Sequence, residues 1–171
     1  DRTILRSFGR PEQGAMRLPL LLGGGVFLLL LGGYTLLSPW LDLSAISGNL
    51  QAKEGFTAAT FPLAALYITF GNSLLEELFF RGFAFLALYR SGYKKLAWTF
   101  SAIAFALYHV SIMDGWFHPA LLVLLTSGLA CAGLLFNALD AKSQTIWPGW
   151  LVHMGANLAI NTIALHLWGI I

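Results

Sequence analysis

Charged residues are what this sequence has least of. They make up 11% of its 171 residues, hydrophobic types make up 57%, and the mean hydropathy is +0.72. The surface of a soluble domain is about a quarter to a third charged. The composition therefore excludes a soluble globular domain and specifies a multi-span membrane protein. The few charges nearly balance, leaving a net +2, which is too weak for a nucleic-acid partner. Cysteine is as scarce. A single Cys131 excludes an intrachain disulfide, and its apolar surroundings read as those of a small packing residue rather than a nucleophile. There is no internal repeat and no low-complexity tail. The chain begins at Asp1 rather than Met, as a trimmed chain or a fragment does. Its first apolar run is too long for the apolar region of a signal peptide.

What the sequence has in plenty is apolar runs long enough to cross a bilayer, at ~20 residues per crossing. Five occur, at about 18–37, within 57–89, and at about 96–113, 119–139 and 147–171. The second is longest, and since only glycines interrupt it after Pro62, one long helix is expected. The fold class expected is all-α: a polytopic bundle of about five transmembrane helices over 18–171, preceded by an arm over 1–17. Lys and Arg collect before the first run (Arg2, Arg6, Arg10, Arg17), after the second (Arg90, Lys94, Lys95) and after the fourth (Lys142). The loops after the first and third runs hold only Lys53. This bias predicts a cytoplasmic N-terminus. Trp40, Trp116, Trp147, Trp150 and Trp168 fall near span ends, as interfacial aromatics do, and the segment 43–56 is too polar to span. Small residues at helical spacing, Gly128 with Ala132 and Ser127 with Cys131, predict close helix contacts. Gly23, Gly24, Gly25, Gly32 and Gly33 lie in the first run, where no strand precedes them and no Lys-Ser or Lys-Thr follows. They form no phosphate loop.

Against that apolar background a few polar residues stand out. The second run carries Asn72, Glu76, Glu77 and Arg81, the third His109, and the fifth His153, Asn157 and Asn161. The fourth, ending at Leu139, offers no ionisable group. Charges at membrane depth cost several kcal/mol and avoid lipid, so three helices are expected to converge on one interior site. Glu77 and Arg81 sit i, i+4 with the acid first, the favourable order for an ion pair. Glu76 has no cation on its own helix, the situation of a general base. His153, Asn157 and Asn161 form an i, i+4, i+8 stripe. Each feature has a plainer reading. A lone membrane histidine often makes a helix–helix hydrogen bond, His118 and His166 lie near span ends, and Glu77 with Arg81 can serve the fold alone. The joint presence of Glu76, His109, His153 and Asn157 is what a hydrolytic site requires. No Ser-His-Asp set is apparent, so an activated water is the economical nucleophile.

Three segments also resemble a known family. E-E-L-F-F-R at 76–81, F-A-L-Y-H at 105–109 and H-M-G-A-N at 153–157 are similar to the E-E-x-x-x-R, F-x-x-x-H and H-x-x-x-N motifs of the CAAX-processing and bacteriocin-processing (CPBP) membrane endopeptidases. They come in the family's order, one per predicted span, and the core that resembles the family covers about 57–171. The resemblance implies a glutamate-dependent intramembrane peptidase that is CAAX-protease-like. Glu76 and His109 would activate a water, His153 and Asn157 would stabilise the oxyanion, and Glu77 and Arg81 would organise the site. It implies a membrane-associated peptide or protein substrate, contact with lipid and no cofactor. Two alternatives stand beside it. One is a zinc metallopeptidase using Glu76, His109 and His153, a plausible ligand set although no H-E-x-x-H occurs. The other is a catalytically silent member acting as a subunit of a larger membrane complex. A proton carrier is disfavoured because five spans without an inverted repeat do not make a carrier fold.

Overall fold

The computed structural model describes residues 2–40, 43, 48, 51–52, 55–113, 115 and 117–171. Five long helices dominate: α1 Arg17–Leu37, α2 Phe61–Arg90, α3 Lys94–Met113, α4 Pro119–Ser143 and α5 Trp147–Leu167. No strand occurs among the described residues. Lys53, Trp116 and most of the polar segment 43–56 lie outside them. The helices α1 to α4 are long and apolar enough to cross a membrane. Helix α5 has the length, but the polar stripe His153–Asn157–Asn161 lowers its hydropathy. The chain is thus an all-α, multi-pass integral membrane protein. Pro62, Pro119 and Pro148 each stand in the first turn of a helix, where a missing N–H costs nothing. Leu21, Leu29, Phe79, Ile103, Leu107 and Val123 point outward, a surface suited to lipid rather than water.

The bundle packs by close approach at a few small residues. Helix α1 lies chiefly on α5, and α3 on α4. A Cβ on Gly155 would collide with the Gly23 carbonyl, and one on Gly133 would stand 3.0 Å from the Ala102 Cα. These are the contacts that small residues permit, and they correct the sequence expectation. Gly128 faces open space, and Ser127 and Cys131 are exposed. Of the four residues only Ala132 packs inward, against the cluster of Phe80, Phe105, Phe136 and Val152.

Helix α2 is continuous yet not uniform. Tyr67–Asn72 and Leu78–Ala87 wind as π-helix on either side of the α-helical turn Ser73–Glu77. Wider turns displace backbone carbonyls from their usual i+4 partners, and inside a membrane such groups need other donors. Neighbouring helices supply them. Asn161 Nδ2 donates to Ala65 O at 3.1 Å and to Thr69 Oγ1 at 2.9 Å, Asn157 Nδ2 donates to Ile68 O at 3.2 Å, and Ser101 Oγ donates to Phe80 O at 2.8 Å.

One end of the bundle is closed by the N-terminal arm. Ile146 N donates to Ser7 O at 3.0 Å, and Trp147 Nε1 donates to Gly9 O at 3.1 Å. Arg90, at the end of α2, reaches both Ser7 Oγ (3.2 Å) and Gln144 O (2.6 Å). Beneath this roof the α4–α5 connection is buried: Ile146 and Pro148 are core residues. Helix α5 therefore starts inside the bundle rather than at its edge, which sets the depth of everything that follows along it.

Candidate active site within the membrane bundle

Ideal helices counted from their ends, at ~1.5 Å per residue, leave His153 far shallower than His109. The sunken start of α5 removes that mismatch. His109 is the sixteenth residue of α3 and His153 the seventh of α5, yet both imidazoles reach the same carboxylate. Glu76 Oε2 lies 3.8 Å from His109 Nε2 and 3.7 Å from His153 Nε2. One atom from each of the three side chains falls within 4.8 Å of the others.

Each of the three is held from behind. Asn72 Nδ2, one turn earlier on α2, donates to Glu76 Oε1 at 2.5 Å. Glu76 therefore has a partner on its own helix, neutral rather than cationic, and Oε2 has no hydrogen-bond partner among the described residues. His109 Nδ1 lies 2.8 Å from the Phe105 carbonyl, and His153 Nδ1 lies 2.8 Å from Glu77 Oε1. A carbonyl and a carboxylate accept only, so both Nδ1 atoms carry hydrogen. In the neutral imidazoles both Nε2 atoms are then lone pairs, and they face the free lone pairs of Glu76 Oε2. Three acceptors converging without a donor among the described residues mark a place for a hydrogen-bond donor or a cation.

The support beneath this cluster is both ionic and aromatic. Glu77 Oε1 lies 3.2 Å from Arg81 Nη1, with both side chains at 0% exposure. The guanidinium sits over the Phe105 ring at 4.0 Å and the Phe136 ring at 4.8 Å, contacts that stabilise a buried cation. Phe136 also stacks on His153 at 5.7 Å, while Phe105 meets the same imidazole edge-on at 5.6 Å and His109 at 4.5 Å. Phe80, Phe105, Phe136 and Val152 form one buried apolar cluster.

The structure thus brings Glu76, His109 and His153 together, with Glu77 and Arg81 directly behind His153. Asn157 continues the α5 stripe toward α2, where its amide bonds the Ile68 carbonyl. Asn161 bonds farther along α2, and His118 serves as the N-cap of α4, accepting from Ala120 N at 3.3 Å. One expectation is corrected. Helix α4 does supply an ionisable group: Asp140, fully buried, accepts from Gly149 N at 2.8 Å. The apolar run ends at Leu139, but the helix continues to Ser143, so an acid that reads as the start of a loop lies inside. Phe136 was equally hidden, as one more apolar residue in an apolar helix.

A family model, Rce1-like, described as type II CAAX prenyl endopeptidase, matches residues 58–159. The chain matches no curated protein and no solved structure. The matched segment takes in α2, α3 and α4 whole and the part of α5 that carries His153 and Asn157. On that match, over more than half its length, the chain belongs to the Rce1-like family of type II CAAX prenyl endopeptidases.

Proposed function

We propose that the chain is an intramembrane peptidase in which Glu76 and His109 activate a water and His153 and Asn157 stabilise the oxyanion. The observation that carries this reading is the convergence of Glu76 Oε2 with the two Nε2 atoms inside the helical bundle. Glu76 and His109 present two acceptors 3.8 Å apart, a spacing that the two hydrogens of one water can bridge. The water oxygen adds to the scissile carbonyl carbon while one of its protons passes to the Glu76 carboxylate. Collapse breaks the C–N bond, and the same proton leaves with the amine. His153, held at Nδ1 by Glu77 at 2.8 Å, donates to the oxyanion when its Nε2 carries hydrogen. Asn157 gives one amide hydrogen to Ile68 O and has a second for the oxyanion. Arg81 holds Glu77 in place. By family, the substrate class is a membrane-associated, prenylated C-terminal segment.

A second reading has an observation of its own. With both Nδ1 hydrogens donated to acceptors, the Nε2 atoms and Glu76 Oε2 form a His₂-carboxylate set, the composition of a catalytic zinc centre. Imidazoles oriented by a carboxylate and a carbonyl are the usual outer shell of such a centre. Zinc bound there would lower the pKa of its water toward neutrality.

Both are tested with the full chain in lipid vesicles, a farnesylated CAAX peptide and its unprenylated counterpart, with products read by mass spectrometry. The glutamate reading predicts cleavage of the farnesylated peptide that survives chelators and disappears in Glu76→Gln. Chelator-sensitive cleavage with stoichiometric zinc favours the metal reading. Absence of cleavage of either peptide by wild type would overturn both in favour of a silent family member within a larger complex.

A further inference from the structure

Asp140 has no part in the mechanism above, yet its surroundings are unusual. It is the only acid in α4, it is fully buried, and Oδ2 has no hydrogen-bond partner among the described residues. Burying a carboxylate is costly unless it is paired, so a purely structural account must find something that holds it. One hydrogen bond does: Oδ1 accepts the Gly149 N–H in the first turn of α5, four residues before His153. Gly149 also shows how near Asp140 comes to Glu77. A Cβ at that position would stand 2.9 Å from Asp140 Oδ2 and 3.0 Å from Glu77 Oε2. Two carboxylates from different helices therefore flank one α-carbon, and Arg81 pairs with one of them, Glu77, at 3.2 Å.

We infer that Asp140 is a positioning residue: it clamps the first turn of α5 against the Glu77–Arg81 pair and thereby fixes the His153 ring toward Glu76. The line of contact is short. Asp140 holds Gly149, and with it the start of α5. Glu77, flanking the same Gly149 Cα, holds His153 Nδ1. The opposite nitrogen of His153 faces Glu76. A side chain at 149 would require the Asp140 and Glu77 carboxylates to shift. Asp140 touches neither the reacting atoms nor the imidazole, so it acts through its neighbours. The catalytic role of this arrangement rests on the peptidase reading above; the orientation of His153 does not.

The test uses Asp140→Asn in the full chain in vesicles, which keeps an acceptor for Gly149 and replaces the second carboxyl oxygen by an amide. Two readouts are taken. In turnover of the farnesylated peptide, kcat should fall about a hundredfold, as for a slight misplacement of a catalytic group, while KM is unchanged. In ¹⁵N spectra of histidine-labelled protein, wild-type His153 should show a single form protonated at Nδ1, and Asp140→Asn a mixture of tautomers. Asp140→Glu, which keeps the carboxyl group on a longer stem, should recover the single form in part. Where Asp140→Asn fails to assemble, Gly149→Ala, which crowds both carboxylates, should give the same mixed spectrum. Unchanged kcat together with an unchanged His153 spectrum would overturn the inference. If wild type cleaves nothing, the peptidase reading fails, and the spectrum alone decides the role of Asp140.

Discussion

Glu76 and Glu77 are neighbours in sequence with different surroundings. Glu76 is tied through one oxygen to the neutral Asn72 and leaves the other facing two imidazoles. Glu77 is enclosed by Arg81 and His153. The two acids should therefore answer differently to substitution. Glu76→Gln keeps the volume and removes the base, so turnover should fall by about 10²–10⁴, the usual contribution of a general base, with unfolding temperature unchanged. Arg81→Ala should act on stability first. It leaves the buried Glu77 carboxylate without its cation, a loss of about 3–5 kcal/mol, read as a lower midpoint of thermal unfolding in detergent. An Arg81→Ala protein as stable as wild type would contradict the arrangement. The identities of these residues were legible in the sequence because charge is so costly in an apolar helix that each one declares itself. The aromatic floor was legible only in part: Phe105 opens the F-A-L-Y-H motif, whereas Phe136 resembles the lipid-facing phenylalanines around it.

The helices were equally legible in number and order, and less so in the way they meet. Apolar run length identifies a helix but does not say which face turns inward, because lipid and core both accept Leu and Gly. That is why Gly128, Ser127 and Cys131 suggested a contact that lies instead at Gly23, Gly133 and Gly155. The consequence is a contrast of sign. Ala is favoured over Gly in a helix by about 1 kcal/mol, so Gly128→Ala, facing open space, should raise stability slightly. Gly155→Ala meets the Gly23 carbonyl and should lower it by about 1–3 kcal/mol, the usual cost of overpacking. Thermal unfolding of the two variants side by side checks this, and stabilisation by both would refute the α1–α5 contact. The extent of α4 was misjudged for a related reason. Hydropathy falls at Asp140, yet the helix continues to Ser143, with the Asp140 carboxylate accepting from Gly149 N in the interior.

Across the whole molecule, the N-terminal arm, the end of α2 and the α4–α5 connection gather at one end through Ser7, Arg90 and Gln144. Arg6, Arg10, Arg17, Lys94 and Lys142 belong to the same segments. By the positive-inside bias this end is proposed to face the cytoplasm. In a Cys131→Ala background, which removes the one exposed thiol, a cysteine at position 94 should then react with impermeant reagents only from the cytoplasm. A cysteine at position 39 should react only from the opposite side, and the reverse pattern would overturn the orientation. The account as a whole depends on Glu76, His109 and His153 forming one centre contributed by three helices. A double-mutant cycle in peptide turnover tests that most directly. If they act as a unit, Glu76→Gln and His153→Ala should each remove nearly all activity, and the double variant should be no worse than the poorer single one. Full turnover in either single variant, or losses that simply multiply, would contradict it.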